Sequence, residues 1–239
     1  MRVPAGINIV NRSMFATEPK RNSMTEHTMT DQAAPPRASF RSFQESTQDD
    51  WMLIMKQRDE LEAALTSRIL EQFEHLRDDY GGFPVDRLEH SLQTATRAER
   101  DGRDDEYVLC ALLHDLGDPL TPYNHPDVGA AILKPFVSEA NHWMVEHHGI
   151  FQGYYFWHHL GMDRNTRDRY VDSPHYALTE EFCSEYDSPA FDPGYDSNPL
   201  GHYEALIRQF FGTNPWTGRT VGSPVTGDTC EDQVERKAA

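Results

Sequence analysis

Two adjacent side chains, His114 and Asp115, follow directly on an apolar run, Tyr107 to Leu113. An imidazole beside a carboxylate in such a setting is costly to bury unless a cation pairs with it, and a metal ion is the simplest such cation. His90, His125, His148 and Asp187 lie on other segments and complete a candidate ligand set. His147 competes with His148, because neighbours on a helix point about 100° apart and only one readily faces a given site. Imidazoles and carboxylates together suit Fe, Mn, Zn or Co better than Ca or Mg. Four histidines and two carboxylates exceed what one metal normally takes from protein, whereas two metals bridged by Asp115 would use them all. The chain holds 12 histidines. Of the rest, His75, His142, His158, His159, His175 and His202 read as structural or surface residues, and His27 as solvated.

These side chains need helices to carry them. Ser46 to Asp50 reads as an N-cap with an acidic first turn. Ile54, Leu61, Leu65, Ile69, Phe73 and Leu76 then recur at helical spacing. Asp78 to Pro84 breaks that helix, and Pro84 suits the first turn of the next, which runs to about Glu99 and carries His90. Asp104 to Glu106 opens the helix that ends in His114-Asp115. Gly117, Pro119 and Pro122 make a loop. A short helix from Pro126 to Leu133 is entered just after His125. Another spans Glu139 to Gly149, with His147 and His148 at its end. An aromatic stretch follows, Phe151 to Trp157. A helix from about Leu178 to Tyr186 precedes Asp187, and His202 to Phe211 is the last. Strand signals are scarce, so the expected fold is all-α, a helical bundle with ligands projecting between facing helices.

Length and composition bound the rest. With 239 residues, 38% of them hydrophobic, the chain can bury one sizeable core. Residues 1–45 and 213–239 are polar and aperiodic, and read as a disordered lead-in and a flexible tail around one domain, 46–212. Charge is strongly acidic, 22 basic against 39 acidic residues for a net −17, which argues against nucleic-acid and anionic-membrane partners. Cys110, Cys183 and Cys230 show neither pairing nor metal spacing, so a reducing, cytoplasmic setting is expected. No apolar run reaches the ~18 residues of a membrane span.

The pattern His90…His114-Asp115…Asp187 is similar to the H…HD…D signature of the HD-domain superfamily, all-α metalloproteins that are mostly phosphohydrolases. Residues 80–95 (YGGFPVDRLEHSLQTA), 101–117 (DGRDDEYVLCALLHDLG), 124–133 (NHPDVGAAIL) and 186–194 (YDSPAFDPG) resemble more closely the mixed-valent diiron oxygenases of that superfamily. That branch includes aminohydroxyethylphosphonate oxygenase and, more distantly, myo-inositol oxygenase. The resemblance covers about residues 70–210, and Tyr80, ten residues before His90, is the feature that favours the oxygenases.

What the resemblance implies is specific. An HD-fold helical bundle would hold two irons, Fe(II) and Fe(III), between its helices. One would be held by His90, His114, Asp115 and Asp187, the other by Asp115, His125 and His148, with His148 preferred over His147 on the family's spacing. Tyr80 matches a tyrosine that occupies the resting iron and leaves when substrate arrives. The implied reaction uses O2 to take hydrogen from the hydroxyl-bearing carbon of a small substrate and break the adjacent bond. The alternative is a metal-dependent phosphohydrolase acting on a phosphate ester with Mn, Zn or Co. Three positions depart from the aminophosphonate enzyme. Phe83 stands for a glutamate, Asp118 for a histidine and Gln152 for a lysine, all expected to face substrate. A small aminophosphonate would therefore lose charge-assisted contacts. The aromatic side chains Phe83, Phe151, Tyr154 and Tyr155 are expected to line a less polar pocket.

Overall fold

A computed structural model describes residues 36–218, and among them it contains helices and turns but no β-strand. Most of the expected lead-in and tail, residues 1–35 and 219–239, lies outside the described residues, as does Cys230. No described helix is long and apolar enough to cross a membrane.

Helix α1, Gln48–Ala63, starts at a reciprocal cap. The Thr47 hydroxyl accepts from Asp50 N, and the Asp50 carboxylate accepts from Thr47 N. No residue of α1 is buried, and Leu61 is half exposed. The single helix expected from Ile54 to Leu76 is interrupted at Ala64, and α2, Leu65–Glu74, begins afresh. Only the second half buries its stripe, Thr66, Ile69 and Phe73, against the C-terminal helix α8, Leu200–Phe211. Phe40 and Phe43 pack on Trp51, so side-chain contacts extend N-terminal of Ser46.

Helix α3, Arg87–Arg100, is capped by Asp86, whose carboxylate accepts from Glu89 N at 2.7 Å. Pro84 therefore precedes the helix instead of entering it. Helix α4, Asp105–Leu113, is capped by Asp104 and buries every residue from Tyr107 to Leu113. It packs on α3 and, beyond it, on α6, Glu139–Phe156. A helix apolar all round has to sit in the middle of the bundle, and α4 does.

Between them, α5, His125–Leu133, closes over the end of α4. Two glycines permit the approach: a Cβ on Gly129 would stand 2.6 Å from the His114 carbonyl oxygen, and one on Gly117 2.7 Å from that of His125. Any side chain at either position would push His125 away from Asp115. After two 3₁₀ turns, Trp157–Leu160 and Arg164–Tyr170, helix α7, Tyr176–Glu181, runs into a π-helical turn, Phe182–Asp187. Ser188 N donates to the Cys183 carbonyl five residues back, at 2.9 Å.

Candidate metal centre

All six candidate ligands converge. His90 comes from the first turn of α3, His114 and Asp115 from the turn that ends α4, His125 from the first residue of α5, His148 from the middle of α6, and Asp187 from the end of the π turn. Asp115 is the hub. Its Oδ2 lies 3.5 Å from His90 Nε2 and 3.4 Å from His114 Nε2. Its Oδ1 lies 3.2 Å from His125 Nε2 and 3.1 Å from His148 Nε2. The two oxygens of one carboxylate thus face two different pairs of imidazoles. Asp187 Oδ1 joins the first pair, 3.3 Å from His90 Nε2 and 3.8 Å from His114 Nε2.

The outer nitrogens fix what the inner ones can do. Nδ1 of His90 donates to the Ala190 carbonyl at 3.0 Å, that of His114 to Ala111 at 2.8 Å, and that of His148 to Val145 at 2.7 Å. A carbonyl oxygen can only accept, so each of these Nδ1 atoms carries hydrogen, and Nε2 is the atom turned inward, with a lone pair when the ring is neutral. His90 Nε2 and His114 Nε2 are 3.2 Å apart. Two neutral rings would face each other with lone pairs at that distance, so a cation, whether a proton or a metal ion, has to lie among them. Asp187 Oδ2 is buried with no hydrogen-bond partner, a further acceptor in need of a cation. The donor set fits a metal on this ground.

The electrostatics point the same way. Burial works to depress the His114 pKa, but the carboxylates of Asp115 and Asp187 outweigh it and lift it to about 9. Burial works to raise Asp115, yet His114, His125 and His148 hold it well below the usual carboxylate range. Asp187 is likewise lowered against its burial, by His90 and His114. The pocket stabilises positive charge. Among the described residues two groups of side chains are spaced to hold an ion, His90–His114–Asp187 and His114–Asp115–His148, and all of these residues are buried.

His147 points elsewhere. Its ring stacks on Trp143 at 3.9 Å and meets Tyr170 edge-on. The helix expected to stop at Gly149 runs on to Phe156, so the histidine pair sits mid-helix, where the 100° step separates the two rings firmly.

The residues expected to face substrate divide. Phe83 is half exposed and stacks on Phe191 at 5.2 Å, and Phe191 stacks on the ring of His90 at 4.3 Å. An aromatic ladder therefore leads from the surface to the centre. Tyr80 shares the turn with Phe83, is 49% exposed, and forms no side-chain hydrogen bond among the described residues. Gln152 lies one helical turn beyond His148, and its amide donates to Asp187 Oδ1 at 2.9 Å. Asp118 is engaged by Arg87 and lies beside His125. Phe151 is a correction: it is fully buried among Trp143, Tyr170 and Tyr176, as core packing requires, and lines no open pocket. The ring of Tyr154 is covered by the guanidinium groups of Arg164 and Arg167. Sequence reasoning missed Arg87, Phe191 and the Ala190 carbonyl. Arg87 sits three residues before His90, on the same helix face, and that spacing was the available signal.

A family model for the HD domain matches residues 87–173, a span that includes every candidate ligand except Asp187. Residues 87–173 are therefore similar to the HD domain. Over 70 residues it is 37% identical to [1-hydroxy-2-(trimethylamino)ethyl]phosphonate dioxygenase (glycine-betaine-forming) from Leisingera caerulea. That match takes in 25% of this chain and 36% of the relative, so the chain spans about a third of that relative's length.

Proposed function

We propose that this HD-domain protein is a diiron oxygenase that uses O2 to cleave a bond in a small hydroxylated molecule. The observation that carries the reading is the split of Asp115, Oδ1 toward His125 and His148 and Oδ2 toward His90 and His114. A bridging carboxylate between two metal positions has this form. His90, His114, Asp115 and Asp187 would hold one ion, and Asp115, His125 and His148 the other. The partial likeness to a dioxygenase supports iron over zinc or manganese. Bound there, the two ions would supply a Lewis acid for the substrate hydroxyl and a redox centre through which electrons pass from the substrate to O2.

The chain's own residues do the rest. Gln152 holds Asp187 in place through its Oδ1. Phe191 covers the ring of His90, and with Phe83 it shields that side from bulk water. Tyr80, on the same turn, is the side chain that would shelter the centre before substrate arrives. The relative's named substrate bears a trimethylamino group. A quaternary ammonium cannot donate a hydrogen bond and is favoured against aromatic faces; Phe191 is stacked between Phe83 and His90, and the half-exposed Phe83 is the ring left to offer one. We therefore place the hydroxyl of the substrate at the centre and an apolar or trimethylammonium end against Phe83.

The test is oxygen uptake by iron-loaded protein over hydroxylated acids, polyols, and phosphonates bearing either a primary amino or a trimethylamino group. Turnover of at least one class that stops under anaerobic conditions is expected, with the primary-amine phosphonate among the poorest. Phosphate release from phosphate esters without oxygen would replace this reading with a hydrolase.

A further inference from the structure

His125 differs from the other candidate ligands in what supports it. Three imidazoles lean on backbone carbonyls, whereas His125 Nδ1 has only Asp118 Oδ1 nearby, at 3.3 Å. The contact falls short of a hydrogen bond, and this buried Nδ1 has no hydrogen-bond partner. Asp118 is itself 8% exposed. It follows Asp115 by three residues, and its backbone N–H donates to the Asp115 carbonyl at 3.0 Å, so both carboxylates belong to one turn. The outer oxygen of Asp118, Oδ2, pairs with Arg87 Nη1. Arg87 is held from its other edge: Nε donates to Asp79 Oδ2 and the backbone N–H to the Asp79 carbonyl, each at 3.1 Å. The guanidinium also lies against Gly81, where a Cβ would come within 2.8 Å of Nη2.

We infer that Asp118 and Arg87 are a positioning pair for His125 and not substrate contacts. The inference rests on the two-metal reading above. Asp118 gives one oxygen to Arg87 and turns the other toward His125, so both oxygens face protein groups. As the carboxylate beside Nδ1 it favours the tautomer that carries hydrogen there and leaves the Nε2 lone pair toward Asp115 Oδ1. Arg87 compensates the second carboxylate, which would otherwise stand uncompensated close to Asp115. Carboxylate partners of this kind typically change metal affinity about 10–100-fold when removed. Arg87 also braces the turn that carries Tyr80 and Phe83, so one guanidinium joins that turn to the His125 side of the centre.

Anaerobic titration of the metal-free full chain with Co(II), followed by its absorption and read as two binding steps, tests this. The unaltered protein is expected to take two ions. Asp118→Ala should weaken one step about 10–100-fold and leave the other unchanged. Asp118→Asn should fall between, since an amide oxygen still accepts from Nδ1 but no longer pairs with Arg87. Arg87→Met should weaken the same step, and Arg87→Lys should restore most of it. Melting of each metal-free variant guards against a general loss of fold. Two unchanged steps in Asp118→Ala, or both steps weakened alike with a lowered melting temperature, would overturn the pair's role while leaving the two-metal reading intact. An unaltered protein that takes fewer than two ions would overturn the two-metal reading itself, and this inference with it.

Discussion

The two sides of the centre are built differently. On one side His90, His114 and Asp187 are almost wholly buried and issue from α3, α4 and the π turn, which pack into the core. On the other side His125 is the first residue of α5, reached through a loop whose tip, Tyr123, is 97% exposed, and its side chain keeps 22% of its surface open. His148 is buried like the first group, so the difference rests on His125 alone. One side is therefore rigid because the core is rigid. The other is held by a carboxylate and an arginine, and is open to solvent. On the two-metal reading proposed above, such a centre would keep one ion while the other exchanges or meets substrate.

That contrast can be broken most completely at the hub. Asp115→Ala is expected to abolish binding of both ions, since the residue faces both pairs of imidazoles; metal analysis after desalting that still finds two ions would remove the bridge. His125→Ala should cost one ion and leave the His90–His114–Asp187 side loaded. Loss of both in that variant would mean that the sides are not separable. Next in size is stability. Leu113→Ala, directly behind His114, should lower unfolding free energy by about 2–5 kcal/mol. Tyr123→Ala, at the loop tip on the open side, should change it by less than about 0.5 kcal/mol. Urea denaturation of the metal-free proteins measures both, and comparable losses would erase the contrast in rigidity. The smallest effect is expected at Tyr80→Phe, which should leave metal content and stability unchanged while removing a tyrosinate-to-iron absorption band from the oxidised protein. A band of the same intensity in that variant would return Tyr80 to a surface role.

The clustering of the candidate residues was legible because their chemistry is costly: histidine and aspartate set into apolar runs are seldom buried without a cation to pair with them. The helices that carry it were legible where caps mark them, Asp86 for α3 and Asp104 for α4. Two misreadings have physical causes. Gly149 resembles a helix end, yet α6 continues through it and through Gly153. A Cβ at Gly153 would come within 2.3 Å of the Trp157 ring, so that glycine serves packing and not termination. The apolar spacing from Ile54 onward looked continuous, but periodicity does not say whether anything covers the stripe, and α1 lies bare. Asp118 and Gln152 were visible as unusual residues, but not their attachment to Arg87 and Asp187. Those partners lie 31 and 35 residues away in sequence, and no local pattern encodes them.

The π turn that ends in Asp187 has a consequence for how this chain can vary. Its Cys183-to-Ser188 bond closes over one residue more than an α-helical turn holds. Deleting one residue from 184 to 186 would shorten that closure to the spacing of an ordinary α-helical turn, so the ends of the turn stay paired and position 187 keeps its place. Adding a residue there has no such outlet and should turn position 187 away from His90 and His114. The extra residue of the turn is thus slack that the site can lose more readily than it can gain another.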